Sequence, residues 1–402
     1  MSNPTTDVPD TSEPEARRPG QRPRGLAWVL PFAATSLLAG MLVLLLMALA
    51  ACGRPQPGAS TGPGATPPSR GGGSTPGTTT STAGTPAGTT AAPAPGRSPI
   101  RPAEACPLAT VTVGDASALA AALARARPGD SIRLNDGVYE GRFAVTTPGT
   151  AAKPVHLCGG AGAVLDGGGT GHGYALHLHG ADHWRLTGFT VRNAQKGVMF
   201  DGTSHAVLTG LTVEHVGDEA IHLRAFSSDN VVQHSTVRAT GLRKAQFGEG
   251  VYVGTAAGNW CDVTGCEPDR SDRNIIRGNR ISAVTAEPVD VKEGTTGGTV
   301  EDNTFDGAAM TGSFADSWVD VKGNGWLIRG NTGRHSRGDG FQTHRVADGW
   351  GDRNVFTRNT ADVAGPGWGF HLAPVAANIV GCDNTVTGAT KGLANTTCRK
   401  KW

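Results

Sequence analysis

Six acidic and five basic residues recur at matching places in a repeated segment of this chain, and together they could run proton-transfer chemistry on a charged substrate. The acids are Glu219, Glu249, Glu287, Asp290, Asp320 and Asp339. The bases are Arg224, Lys292, Lys322, His344 and Arg345. Clustered carboxylates with open positions suit a hard cation such as Ca²⁺. The best ligand set is Glu249, Glu287, Asp290 and Asp320, with Asp339 as a possible fifth. A lysine beside carboxylates and other cations can have its proton affinity tuned for base work. The competing reading is a self-contained ion-pair network, for instance Asp290 with Lys322, which relieves like charges stacked on neighbouring strands.

A short pattern, apolar–x–apolar–x, positions these residues. It starts at Leu176, Val198, Ile221, Val251, Val289, Val319, Phe341 and Phe370, at intervals of 22 to 38 residues. Such a period signals a stacked fold in which residues distant in sequence share one face. With the apolar residues inward, one outward column reads His177, Met199, His222, Tyr252, Asp290, Asp320, Gln342, His371. The next reads His179, Asp201, Arg224, Gly254, Lys292, Lys322, His344, Ala373. A third, in the preceding turn, reads Tyr174, Lys196, Glu219, Glu249, Glu287, Ser317, Asp339, Trp368. Neighbouring rungs should lie ~4.8 Å apart. Tyr252, with His222 and Glu219 from the rung before, is a candidate for holding substrate.

A second alternating strand precedes each copy, as in Trp184–Thr187 and Trp326–Arg329. Asn279, Asn303, Asn331, Asn359 and Asn384 recur at 24, 28, 28 and 25 residues and read as stacked corner posts. At the head of the repeat, residues 115–130 predict an amphipathic helix and a Pro-Gly turn that cover the open end of the stack. Between Gly254 and Asn274 an excursion with Trp260 and the Cys261/Cys266 pair breaks the period. It could carry Trp260 beside the charged face for sugar stacking, or pack it over the coil. Trp350 and Trp368 could form an opposite wall, and Trp318 could serve either purpose.

These strands resemble the right-handed parallel β-helix of the pectate-lyase-like superfamily, over roughly Thr110 to Cys398. The resemblance implies an all-β fold of about eight or more coils with an N-terminal capping helix. The superfamily includes lyases, hydrolases, epimerases, tailspikes and adhesins, so fold alone does not assign function. For its polysaccharide lyases, a metal or cation neutralises a uronate carboxylate, a Lys or Arg removes the C5 proton, and elimination breaks the glycosidic bond. The resemblance therefore implies Lys292 or Lys322 as base, Lys292 first, with Arg224, Arg345 or His344 holding the carboxylate or assisting the leaving oxygen. The expected activity is a Ca-assisted lyase on an acidic polysaccharide. The alternatives are a hydrolase using Asp290 and Asp320, or a non-catalytic carbohydrate-binding or structural surface protein.

The rest of the chain concerns address and stability. Arg17, Arg18, Arg22 and Arg24 precede an apolar run from about Leu26 to Ala51, and Leu49-Ala50-Ala51-Cys52 resembles a lipobox. Residues 1–52 thus read as a lipoprotein signal with Cys52 lipidated, or else as an uncleaved membrane anchor. Both place the protein on the outer side of a bacterial membrane. Residues 53–105, rich in Gly, Ser, Thr and Pro, cannot bury enough surface to order themselves and read as a stalk. Residues 106–402 form the β-helix domain. Removing Cys52 leaves six cysteines, consistent with three disulfides in an exported chain. Of fifteen pairings, proximity favours Cys261–Cys266 and Cys382–Cys398, leaving Cys106–Cys158. From Cys106 onward 28 basic residues balance 29 acidic ones, which argues against a nucleic-acid partner. A monomer is expected.

Overall fold

The computed structural model describes residues 106–401. The expected signal, Cys52 lipidation site and stalk lie outside the described residues. Among the described residues no helix is long and apolar enough to cross a membrane.

The chain winds as a parallel β-helix whose walls are three sheets of eleven, ten and ten strands. One turn of the coil places Trp184–Thr187 in the first sheet, Thr190–Arg192 in the third and Lys196–Asp201 in the sheet that carries the charged columns. All pairings are parallel, from Val111–Val113 to the last turn. Each strand is short because a turn of coil must bend three times, so the hydrophobic signal comes in fragments of two to six residues.

The eight repeated strands are consecutive neighbours in the site sheet, paired in the expected register. Leu176, Val198, Ile221, Val251, Val289, Val319, Phe341 and Phe370 form one unbroken inward column. All eight are fully buried. Phe341 stacks on Phe370 at 5.1 Å, an arrangement worth about 0.5–1.5 kcal/mol beyond area burial. Trp318 is also fully buried and donates from Nε1 to the Arg334 carbonyl, so it packs the core.

The Asn residues form the expected posts. The Asn303 backbone N–H donates to Asn331 Oδ1 at 3.0 Å, and Asn331 repeats the bond to Asn359. Asn331 Nδ2 also donates to Asn359 Oδ1 and to the Val300 carbonyl, so one side chain satisfies several corner groups. A second run of Asn230, Asn274, Asn354 and Asn378 does the same at another corner. The capping helix spans Ala116–Arg125, with Asp115 accepting from Ala118 N and with Leu119 and Leu123 buried over the coil. The disulfides are Cys106–Cys158, Cys261–Cys266 and Cys382–Cys398, as proximity favoured.

Candidate active site

The site lies on the outer face of the site sheet, where the expected columns stand in register. His222, Tyr252, Asp290, Asp320 and Gln342 are successive neighbours along one row. All five are at least nine-tenths buried although they point away from the core. The face is therefore walled by loops, and its charges must be satisfied locally.

Asp290 is the centre. Lys292 Nζ lies 2.8 Å from one of its oxygens, and Lys322 Nζ lies 2.6 Å from the other. Lys322 also meets Asp320 at 2.8 Å. Asp320 is fully buried and meets His344 Nδ1 at 2.8 Å. Burial would raise the Asp320 carboxyl, but His344 and Lys322 outweigh it and hold it well below the usual range. The same Asp320 charge raises the His344 imidazole despite burial. For Lys322, burial is outweighed by Asp290 and Asp320, and its proton affinity is raised. The cross-column pairing expected of an ion-pair network is thus present at Asp290–Lys322, and it ties Lys322 down on two sides.

Lys292 is less enclosed. It has one carboxylate partner, and its Nζ lies 4.8 Å from the centroid of the Tyr252 ring. Gly254 makes room for it: a Cβ there would come within 2.6 Å of Thr295 and 3.3 Å of Lys292 Cβ. Burial works against its charge, but Asp290 and Glu293 outweigh it, so Lys292 is held well above an ordinary lysine. Both lysines are cations at rest. That is the opposite direction from the depressed proton affinity a resting lysine base requires.

Glu249 and Glu287 converge with Asp290. One ligand oxygen from each lies within 4.8 Å of the other two, and all three residues are buried. Glu249 Oε2 has no hydrogen-bond partner. Burial, reinforced by Glu219, Glu287 and Asp290, pushes Glu249 well up. Burial and Asp290 push Glu287 up to about 8. The set is all oxygen and Glu249 keeps an unpartnered buried oxygen, which suits a hard divalent cation, while both Asp290 oxygens also meet lysines. Two of the expected ligands stand outside this trio. Asp320 meets Lys322 and His344. Asp339 lies with Gln342 Nε2, His371 Nδ1 and the Trp368 N–H, which together lower it despite burial.

The remaining candidates separate along the face. Arg224 donates to Asp201 at 2.7 Å, and the second Asp201 oxygen meets His177 at 2.8 Å. Two rungs, about 10 Å, separate the Arg224 position from that of Lys292. Fully buried His222 directs Nε2 to the Gly254 carbonyl at 3.0 Å and places Nδ1 3.6 Å from Glu219 Oε1. Burial, then Lys196 and Arg224, keep this imidazole well below its ordinary value, so it is neutral. Lys196 Nζ lies 3.1 Å from Glu219 Oε1. Arg345 is exposed, with its Nε donating to the Trp350 carbonyl.

Trp260 is half-buried, donates to the Thr255 carbonyl, and has Cζ2 3.3 Å from where a Cβ on Gly294 would stand. It packs across the turn after Lys292. The expectation of Trp350 and Trp368 as one opposite wall does not hold. Trp350, like Trp260, follows a site-sheet strand, and Arg270 of the excursion lies 5.6 Å over its ring. Trp368 opens the strand Trp368–Ala373 and so lies at the other edge. On the first repeated rungs His177 pairs with Asp201, while His183, in the turn that follows the strand Tyr174–His179, stacks on His205 at 4.8 Å. Lys196 and Glu293 enter this network without having been singled out; Lys196 was visible as the one basic residue in the turn column.

No family profile and no curated protein matches the sequence. Among solved structures, an alginate lyase from Paenibacillus sp. str. FPU-7 is 38% identical over 71% of this chain and 98% of its own length, with a TM-score of 0.65. Pectate lyase Pel9A is 16% identical over 67% of this chain and 73% of its own, at a TM-score of 0.45. The adhesin PfbA of Streptococcus pneumoniae is 13% identical over 71% and 75%, at 0.49. The likeness to the Paenibacillus enzyme spans nearly all of that protein and carries the assignment: this chain belongs to the same family, a family of polysaccharide lyases built on the pectate-lyase-like right-handed parallel β-helix.

Proposed function

We propose that the protein cleaves an acidic, uronate-containing glycan of the alginate type by β-elimination, at the cell surface, with Tyr252 and Lys292 as the proton-transfer pair. The observation that carries this is the Lys292 ammonium 4.8 Å from the Tyr252 ring and 2.8 Å from Asp290, on a face where Lys322 is held by two aspartates. The 38% identity to an alginate lyase supports the substrate class.

Elimination needs a base for the C5 proton, a countercharge for the uronate carboxylate and a proton for the departing O4. Lys292, charged at rest, cannot be the first of these. Its charge, 4.8 Å from the centroid of the Tyr252 ring, would favour the anionic form of that ring. With its hydroxyl proton first released to solvent, Tyr252 as phenolate takes the C5 proton, the C4–O4 bond breaks, and a C4=C5 double bond forms. The Lys292 ammonium gives a proton to O4, and the Tyr252 hydroxyl then returns one to Lys292. Lys322 stays locked between its two aspartates and holds Asp290 in place.

Glu249, Glu287 and Asp290 would hold a divalent cation such as Ca²⁺. Such an ion supplies countercharge for the uronate carboxylate. Arg224, which also holds Asp201 at 2.7 Å, would meet a carboxylate further along the chain of sugars. The test is an assay of the full-length chain on alginate and pectate, followed by the ultraviolet absorbance of the unsaturated product. Absorbance lost in both Tyr252→Phe and Lys292→Met supports the pair. New reducing ends without absorbance would move the chemistry to a hydrolase.

A further inference from the structure

We propose that Phe226, held out beside the charged face by a strained turn, is a stacking residue for a sugar ring of the bound glycan, and that Asp269 positions it. This inference rests on the reading of the site as a glycan-cleaving face.

Phe226 lies two residues after Arg224, in the turn that ends the strand Ile221–Arg224, and is 44% exposed. A single exposed apolar residue is ordinary. Its backbone is not. Ala225 and Phe226 have φ of 54° and 69°, the only consecutive pair of non-glycine residues at positive φ among the described residues. A left-handed conformation is unfavourable for a bulky side chain and costs roughly 1–3 kcal/mol per residue. The other large residues that adopt it here are mostly His, Arg and Asp at single corner positions. Phe226 is the one large hydrophobic residue among them.

Asp269 imposes the conformation. It is fully buried and accepts from Ala225 N at 2.9 Å and from Phe226 N at 2.8 Å. It also takes the hydroxyls of Thr255 at 2.7 Å and Ser271 at 2.8 Å. Four donors on one carboxylate join the Phe226 turn to both ends of the excursion. That excursion carries Trp260, whose Nε1 bonds the Thr255 carbonyl. One buried acid thus fixes two aromatic side chains in turns that follow neighbouring strands, along the same edge of the face. Gly294 lets the excursion lie this close, since a Cβ there would come within 2.8 Å of Asp269 N.

A core role would bury Phe226, and a spacer would be satisfied by glycine without strain. An exposed ring in an imposed conformation fits the apolar face of a pyranose, the chemistry that a chain of uronic acids offers between its carboxylates. Strain of this kind gathers where a side chain must be aimed.

Three variants of the full-length chain test the proposal, with alginate as probe and both steady-state kinetics and thermal unfolding as readouts. Phe226→Ala is expected to raise KM about three- to tenfold, with a smaller change in kcat, the range of one aromatic contact. Phe226→Trp is expected to stay within about twofold of wild type by the same reasoning. Phe226→Gly is expected to raise KM as Ala does while its Tm is equal to or above wild type, because the strain is relieved. An unchanged KM in Phe226→Ala overturns the proposal, as does a lower Tm in Phe226→Gly, which marks a packing residue. If the wild-type chain cleaves no acidic glycan, the functional reading itself fails and this inference with it. If wild type cleaves and Phe226→Ala matches it, only the inference fails.

Discussion

Replacing Lys322 by Met should unfold the protein more than it changes the chemistry, and the reverse should hold for Lys292. Lys322 Nζ stands 2.6 Å from Asp290 and 2.8 Å from Asp320. At an effective dielectric constant of ~20, two unit charges ~2.7 Å apart attract by about 6 kcal/mol. Two such contacts offset the several kcal/mol lost in desolvating each ion. Removing the lysine leaves Asp320 fully buried with only His344, and Asp290 with only Lys292. Breaking a buried ion pair from one side costs about 3–5 kcal/mol. At about 2–4 °C per kcal/mol for a domain of this class, Tm should fall by roughly 6–20 °C. Lys292→Met leaves Asp290 paired with Lys322, so its cost is about 1–2 kcal/mol. Calorimetry of both variants measures the contrast. Adding Asp320→Asn to Lys322→Met should recover part of the loss, because the orphaned charge is gone. A Lys322→Met protein with wild-type Tm would refute the claim that this lysine is held by its two aspartates.

The acid cluster predicts a pH dependence. Glu287 is pushed up to about 8 in the folded state, so between its unfolded value of ~4.3 and about 8 the native protein binds more protons than the unfolded one. Stability in chelator should therefore decline as pH rises through that window, and Glu287→Gln should flatten the slope. Ca²⁺ should raise Tm most at the alkaline end, where the carboxylates are ready to bind it; a Ca²⁺ response that Glu249→Gln leaves intact argues against these ligands. Asn331→Ala should cost about 1–3 kcal/mol by unfolding assay, since it strips partners from the buried Asn303 N–H and the Val300 carbonyl. A change below 0.5 kcal/mol, the scale of an ordinary surface substitution, would mean that the ladder is decorative.

The site sheet was legible because seven of its eight repeated strands have two inward apolar residues flanking one outward residue, enough to set register over eight rungs. The third sheet was not. Strands such as Thr190–Arg192 and Thr332–Arg334 send one residue inward, Val191 or Gly333, and a single residue shows no alternation. The last strand of the site sheet, Gly392–Ala394, escaped because the pattern decays there, with no fully buried residue. Columns gave proximity but not partnership. They placed Asp320 in a ligand set, yet could not show that Lys322 and His344 had already claimed it. They placed Lys292 among cations that could depress its proton affinity, while the nearer carboxylates act in the other direction. Phe226 gave no signal, because positive φ at a non-glycine residue leaves no mark in composition or spacing.

The central claim is an elimination run by Tyr252 with a charged Lys292 on the outer face of the coil. The most direct measurement is the rate of unsaturated-uronate formation from alginate by wild type, Tyr252→Phe, Lys292→Met and Lys322→Met, each at a temperature where it is shown to be folded. The account predicts product from wild type and from folded Lys322→Met, with losses of at least about a hundredfold in Tyr252→Phe and Lys292→Met, the scale of a lost proton-transfer group. Full activity in Tyr252→Phe, or activity that vanishes with Lys322 while surviving without Lys292, would contradict it.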